Sequence, residues 1–360
     1  MATSFKGGRS TASDTDEDLR KLLEARKAVI KVVGVGGAGN NTVSRMMQVG
    51  IVGADILAAN TDAQDLLYTD ADEKVLLGKD LTKGLGAGAD PKVGMEAARE
   101  SREDIKEALE GADMIFITCG LGGGTGTGAS PVIAEIAKKM GILTVGVVTL
   151  PFTMEGKHRM ENAIGGLEGM QKIVDTLIII PNDKLLEIVP DVSIVTAFKV
   201  CDEILVNAVK GVTELVTKPG LVNLDFADIR AVMASGGLAM IGLGESDSEN
   251  RAVEAVEKAL NNPLLDVDIL GAEGALVNVS GGDDISIKEC QEIIEAISSK
   301  LSPEAKIIWG AQISKELGNV VRALLIVTGV KGTQIYGVEN LFSQKKQKEI
   351  EKILGIEFVE

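Results

Sequence analysis

Between Val29 and Pro181, short apolar runs alternate with segments whose apolar positions recur every three or four residues. VIKVVG from Val29, ADILAAN from Ala54, EKVLLG from Glu73, DMIFITCG from Asp113, GILTVGVVTL from Gly141 and DTLIIIP from Asp175 read as strands. Helices are predicted over Asn40–Gly50, Pro91–Gly111 and Thr127–Met140. Strands this apolar are buried on both faces, and their alternation with helices implies βαβ units around a parallel sheet. Residues 29–192 are therefore assigned to a first, Rossmann-like α/β domain. The stretch Ser193–Val216 breaks the rhythm, being apolar nearly all round with no proline. A helix of that kind is buried on all sides, so 193–216 is predicted as a central strut. LAMIGLG, ALVNVSG, AKIIWGAQ and RALLIVTG follow, with helices near Glu249–Leu260 and Ile287–Lys300. They predict a smaller mixed α/β domain over 217–330. Residues 1–28 read as a polar arm and a short helix started by acidic residues, and 331–360 as a terminal helix with a short tail.

Composition narrows the function. A chain of 360 residues with 45% apolar content can bury two cores, and with only 3% aromatics they must be aliphatic. The net charge of −16 repels nucleic acid and anionic membrane, and makes self-association depend on cations or specific contacts. Cys119, Cys201 and Cys290 are far apart and lack metal-site spacing, so they read as small buried hydrophobes in a reducing compartment. No apolar run approaches the ~18–20 residues of a membrane span, and the N-terminus has no apolar signal core. The expectation is a cytoplasmic protein that meets a membrane only through a partner. His158 is the sole histidine, so neither a nucleophile triad nor a zinc-type cluster can be built around it.

Two glycine nests carry the candidate chemistry: GVGGAGNN at Gly34–Asn41 and CGLGGGTGTGASP at Cys119–Pro131. Each follows a predicted strand and opens a predicted helix. Such a turn presents free N–H groups at the positive end of a helix dipole, and glycine removes the Cβ that would hold a phosphate off. Each charge-assisted contact contributes roughly 1.5–3 kcal/mol, and the helix terminus about 0.3–1 kcal/mol more. The first nest fits GxGxxG, although a tight strand–helix turn would read the same way. Asn60 ends the second strand with Asp62 just beyond, so the acidic residue of a dinucleotide fold is ambiguous. Neither nest has the lysine of a P-loop. Two anion cradles on one sheet point to a nucleotide with a long phosphate chain, and a third loop, KGLGAGADPKVG at Lys83–Gly94, can close over the terminal phosphate. A nicotinamide-dependent oxidoreductase using the first nest is the distant alternative, and it lacks a catalytic histidine or lysine candidate near a substrate pocket.

GGGTGTG at Gly122–Gly128 is similar to the glycine-loop signature of the tubulin-like GTPases. With GVGGAGNN, NTDAQDL, GLGAGADPKVG, PFTMEGKHRM, IPNDKLL and NLDFADI in this order, the chain resembles the FtsZ family of prokaryotic cell-division GTPases, from about Val29 to about Gly329. The resemblance implies an assembly-stimulated GTPase that binds GTP or GDP with Mg²⁺. Such a protein polymerises head-to-tail into filaments and forms the cytokinetic ring at the division site, on the inner face of the membrane, through a membrane-adaptor protein. Gly36, Gly37, Ala38, Asn40 and Asn41 then match phosphate contacts of the first nest. Gly120, Gly122, Gly123, Gly124, Thr125, Gly126 and Thr127 match those of the second, and Gly86, Ala87 and Gly88 those of the third loop. Asn182, Phe198 and Asp202 match the guanine site. One carboxylate can accept both N1–H and the exocyclic amine of guanine, whereas adenine would turn an acceptor toward it. Without the resemblance, Phe198 reads as core and Asp202 as a solvated helix residue. Glu155 and Arg159 match ribose and phosphate contacts, or else form an ordinary i,i+4 ion pair. Gln64 is a candidate for Mg²⁺, which should sit mainly on the phosphates.

Asp225 and Asp228, three apart at a predicted helix start, share a face. An N-cap and a first-turn acid also describe a normal helix start. The resemblance implies that Asn223, Asp225 and Asp228 lie at the opposite end of the central helix from the nucleotide. That helix of roughly 22 residues spans about 33 Å, so the acids would complete the site of the next subunit. Two departures stand out. Asp90 replaces the Asn of many relatives, and a short tail replaces the long linker of bacterial members. GIEFVE at the end is either a docking peptide or a frayed terminus. The main alternative is a scaffold or cell-shape paralogue with little hydrolysis.

Overall fold

The computed structural model describes residues 28–330, apart from 189–192, 218–220, 223, 235, 266–268 and 270–271. The predicted N-terminal helix, the terminal helix and the tail lie outside the described residues. The six apolar runs form β1 (Ile30–Val35), β2 (Ala54–Asn60), β3 (Glu73–Leu76), β4 (Met114–Gly120), β5 (Leu143–Leu150) and β6 (Thr176–Pro181). They lie in the order β3-β2-β1-β4-β5-β6, with every neighbour parallel. All eight residues of β5 are buried, which is why its sequence shows no alternation. The winding reverses between β1 and β4. In an open α/β sheet that switch point leaves a crevice at the carboxyl ends of the strands.

The helices of this half are α1 (Gly36–Val49), α2 (Ala63–Tyr68), α3 (Lys79–Thr82), α4 (Pro91–Glu100), α5 (Arg102–Ala108), α6 (Thr125–Lys139), α7 (Lys157–Gln171) and α8 (Asn182–Ile188). The single helix expected over Pro91–Gly111 is two. The break falls at Ser101, whose hydroxyl accepts from the Gly78 N–H at 3.0 Å and donates to the Leu76 carbonyl at 3.3 Å. That tie to the end of β3 outweighs continuation of the helix. Helix α7 has no amphipathic signature because Gly165, Gly166 and Gly169 interrupt it. A Cβ on Gly166 would lie 2.6 Å from the Thr127 side chain, so the glycine lets α7 seat on α6.

The central helix α9 (Ile194–Thr217) runs for 24 residues and leads to α10 (Phe226–Met233). Then come β7 (Gly237–Ser246), α11 (Arg251–Leu260), β8 (Gly274–Gly281), α12 (Ile287–Ser298), β9 (Lys306–Ile313) and β10 (Val321–Thr328). β7 pairs parallel with β6 over Thr176–Ile178, so among the described residues one ten-stranded sheet, continued as β7-β10-β8-β9, runs through both halves. β10 is antiparallel to both neighbours. Three apolar cores follow among the described residues. One face of the whole sheet packs on α1, α9 and α10, through residues such as Val43, Met46, Val209, Val212, Ile229, Ile180 and Leu324. The opposite face packs on α4–α7 in the first half and on α11 and α12 in the second.

Candidate active site

At the switch point the first nest leads from β1 into α1 and the second from β4 into α6. Between them opens a cleft of about 430 Å³. Its floor is Gly36, Gly37, Ala38 and Asn41 on one side and Gly120, Gly123, Gly124, Thr125 and Gly126 on the other. Neither Val35 before α1 nor Gly124 before α6 makes a side-chain cap hydrogen bond, and neither helix has an acid in its first turn. Both helices therefore turn uncapped N–H groups into the cleft, where an anion can take the place of a cap.

The glycines divide into two kinds. A Cβ on Gly34 would stand 2.4 Å from the Gly39 carbonyl oxygen, one on Gly39 2.5 Å from that of Thr118, and one on Gly128 1.9 Å from that of Pro91. These residues let α1 seat on the strands and α6 on α4. Gly37 and Gly123 line the cleft, and a Cβ there would meet only Asp65 Oδ2 at 3.9 Å, or nothing within 4 Å. Packing gives no reason for glycine at those two positions. Close approach of a phosphate does.

The remaining matched residues of the loops support the floor from behind. Asn40 is buried, and its amide donates to Asp65 Oδ2 at 3.0 Å. The Thr127 hydroxyl accepts from the Gly122 N–H at 2.9 Å and holds the turn of the second nest. Gly86, Ala87 and Gly88 are not part of the cleft lining. Ala87 is buried against Gly124, where an added Cβ would lie 2.8 Å from its own. Asn162 ties that loop to the nest, with its amide 3.3 Å from the Ala89 carbonyl and 3.4 Å from that of Gly122. Asp90 accepts from the Lys92 N–H at 2.9 Å and caps α4. Gln64 is exposed and lies outside the lining; its N–H donates to Asp62 Oδ1 at 2.9 Å. No group of three His, Cys, Asp or Glu side chains stands together among the described residues.

The other end of the cleft suits a base. Phe198 is 42% exposed and meets the buried Phe152 edge-to-face at 5.3 Å. Asp202 lies on the same face of α9, and Asn182 opens α8 beside it. Burial raises the Asp202 carboxyl above its ordinary range, while a hydrogen bond from the Thr42 hydroxyl pulls it back. The Cys201 thiol, pushed up to about 12 by burial, donates to Asn182 Oδ1 at 3.2 Å. Arg159 Nη1 donates to Glu155 Oε2 at 2.5 Å, and Glu155 Oε1 accepts from the Phe152 N–H. The pair is an i,i+4 ion pair and also lines the cleft.

Sequence reasoning passed over Thr42, Thr149, Cys201 and Leu205, which also line the cleft. A signal existed for three of them. Thr42 is one turn beyond Ala38, and Cys201 and Leu205 stand three and seven residues after Phe198, all on cleft-facing helical rows.

Asp225 and Asp228 are elsewhere. Both are exposed, Asp225 caps α10 by accepting the Asp228 N–H at 2.8 Å, and neither lines the cleft. The cleft takes Phe198–Leu205 near the start of α9, whereas Asp225 follows its far end. A 24-residue helix is about 36 Å long. Asn223 lies outside the described residues.

The family model described as the Tubulin/FtsZ family, GTPase domain, matches residues 29–190, and that of the FtsZ family, C-terminal domain, matches 237–331. Cell division protein FtsZ 1 of Thermococcus kodakarensis is 64% identical over 345 residues, covering 94% of this chain and 92% of that protein. The chain belongs to the FtsZ family. Its fold agrees: the structure of an FtsZ dimer from M. jannaschii superposes with a TM-score of 0.85 at 60% identity, over 89% of this chain and 92% of that one. CetZ1 from Haloferax volcanii superposes with a TM-score of 0.77 at only 25% identity, over 88% of this chain and 99% of that one. The cleft thus lies in a Tubulin/FtsZ-family GTPase domain, a domain that binds guanine nucleotide.

Proposed function

We propose that this chain binds GTP in the cleft between α1 and α6 and hydrolyses it only when a second copy docks end-on, so that turnover and filament growth are coupled in cell division. The observation that carries this reading is the separation of the two halves of the chemistry along α9. The cradle is at one end of the helix, and the two exposed acids are beyond the other. One subunit's α1 and α6 N–H groups hold the phosphates. Phe198 stacks on the base, and Asp202 and Asn182 read its edge. Glu155 and Arg159 reach the ribose and phosphates. The next subunit brings Asn223, Asp225 and Asp228 to the terminal phosphate, where a carboxylate accepts a hydrogen bond from the attacking water and holds it in line. Mg²⁺, when bound with the nucleotide, would offset negative charge, both of the nucleotide and of the acids that approach it.

This contact is heterologous, and a heterologous contact that does not close gives a filament. The names of the similar proteins, a cell division protein and an FtsZ dimer, agree with that use. Within this reading, 29–192 is the nucleotide-binding body, 193–216 the strut and 217–330 the body that delivers the acids. The division site on the inner face of the membrane is then the place of action, reached through an adaptor protein. The test is phosphate release followed beside sedimentation over a range of protein concentrations. Specific activity should climb steeply where polymer first pellets. A flat profile would mean that the monomer holds a complete site, and polymer without turnover would mean a scaffold.

A further inference from the structure

Thr42 is buried on α1, one turn beyond the first nest, and it lines the base end of the cleft. Its hydroxyl has one proton and two acceptors within reach: the Ala38 carbonyl oxygen at 3.1 Å and Asp202 Oδ1 at 2.8 Å. The nearer acceptor is also the charged one, and charge-assisted bonds are the stronger. One turn further along, Arg45 Nε donates to Glu203 Oε1 at 2.8 Å. Two side chains of α1 therefore grip two consecutive carboxylates of α9, one inside the cleft and one outside it.

The consequence falls on the inner carboxylate. A free aspartate side chain rotates about its last torsion, which is broad and roughly two-fold. A rotating carboxylate cannot present two acceptor sites to two adjacent donors at once. We propose that Thr42 is a positioning residue that locks the Asp202 carboxylate in the one orientation able to accept both N1–H and the exocyclic amine of guanine, and so sets the preference for guanine over hypoxanthine. The inference rests on the reading that Asp202 faces the base. It requires nothing of Thr42 toward phosphate, ion or water.

The test is affinity for GTP, ITP and ATP, measured by displacement of a fluorescent guanine nucleotide at protein concentrations below assembly. ITP lacks the amine and keeps every other group. Thr42→Val preserves shape and removes the hydroxyl, and Thr42→Ser restores it. The amine's bond to a charged acceptor should give the wild type a GTP-over-ITP ratio of about 10 or more. Thr42→Val should cut that ratio at least about fivefold by weakening GTP more than ITP, and Thr42→Ser should recover most of it. A melting curve for each variant separates misfolding from loss of selectivity, and Thr42→Ala, which also removes the hydroxyl, carries the test if the valine variant does not fold. A wild-type ratio in Thr42→Val, with Asp202→Ala collapsing the ratio, overturns the role of Thr42 alone. If Asp202→Ala also leaves the ratio untouched, the base-reading assignment itself has failed.

Discussion

Two glycines of the second nest, five residues apart, should fail in opposite ways. A Cβ on Gly123 meets nothing within 4 Å, whereas one on Gly128 would stand 1.9 Å from the Pro91 carbonyl oxygen, 2.7 Å from the Met95 nitrogen and 2.8 Å from the Pro91 carbonyl carbon. All three of the latter are backbone atoms, so no rotamer change relieves the contact. Helix α4 would have to retreat by about 1.5 Å to reach ordinary van der Waals separation, and overpacking of this kind costs about 1–3 kcal/mol or more. Gly128→Ala should therefore lower the melting temperature without nucleotide. At Gly123 the same methyl group displaces no protein atom. It trims the unfolded ensemble, which favours folding by about 0.4–1 kcal/mol. It does occupy the space over the cradle, and one lost charge-assisted contact of roughly 1.5–3 kcal/mol weakens binding about 10- to 150-fold. Gly123→Ala should melt at or above the wild-type temperature and bind GDP that much more weakly. The assay is thermal melting without nucleotide, paired with fluorescent-GDP titration. Wild-type GDP affinity in Gly123→Ala, or an undiminished melting temperature in Gly128→Ala, would refute the division of the glycines into ligand-facing and packing kinds.

Asp225→Ala and Asp228→Ala should each lower turnover about 10²- to 10⁴-fold, the usual weight of a group that handles a proton or orients water. GTP affinity should stay within about twofold of wild type, as read by titration below the assembly threshold. Far from the cleft, Arg251 bonds Glu289 at 2.6 Å and Asp284 at 2.8 Å, pinning α11 to α12. The Arg251 guanidinium holds the Glu289 carboxyl at about 2, against its ordinary 4.5. The folded-state value is depressed, so this stabilisation is present above pH 4.5 and is lost as pH falls toward 2. The shift corresponds to at most about 3 kcal/mol. Arg251→Met should therefore destabilise the protein at pH 7 and lose less further stability than wild type between pH 5 and about 3, by denaturant melts. Parallel curves for the two proteins would show that the pair carries no linkage.

The strands were legible because buried parallel strands are near-continuous apolar runs, and Ala54–Asn60 matches its run residue for residue. The placement of both nests after strands and before helices was legible for the same reason. Other features depend on contacts that no local pattern records. The break at Ser101 comes from hydrogen bonds to Gly78 and Leu76. Helix α7 was hidden by the glycines that let it pack. The joining of both halves into one sheet rests on three residue pairs between β6 and β7. In the site, glycine content announced the cradle but did not say which glycines face it. Gly34, Gly39 and Gly128 answer to neighbouring backbone, whereas Gly37 and Gly123 answer to space. The place of Thr42 one turn beyond Ala38 was open to reading, but its bond to Asp202, 160 residues away, was not.

A shared active site is tested most directly by mixing two disabled proteins. Asp225→Ala keeps its cradle and lacks the acid. Gly123→Asp keeps the acid and places a carboxylate where phosphate would lie. Each should be nearly inactive alone. Combined, an Asp225→Ala copy holding GTP can receive the intact far end of a Gly123→Asp copy, and phosphate release should reappear in proportion to the mixed junctions. Activity no greater than the sum of the separate proteins, under conditions where the two copies are shown to associate, would contradict a site divided between subunits.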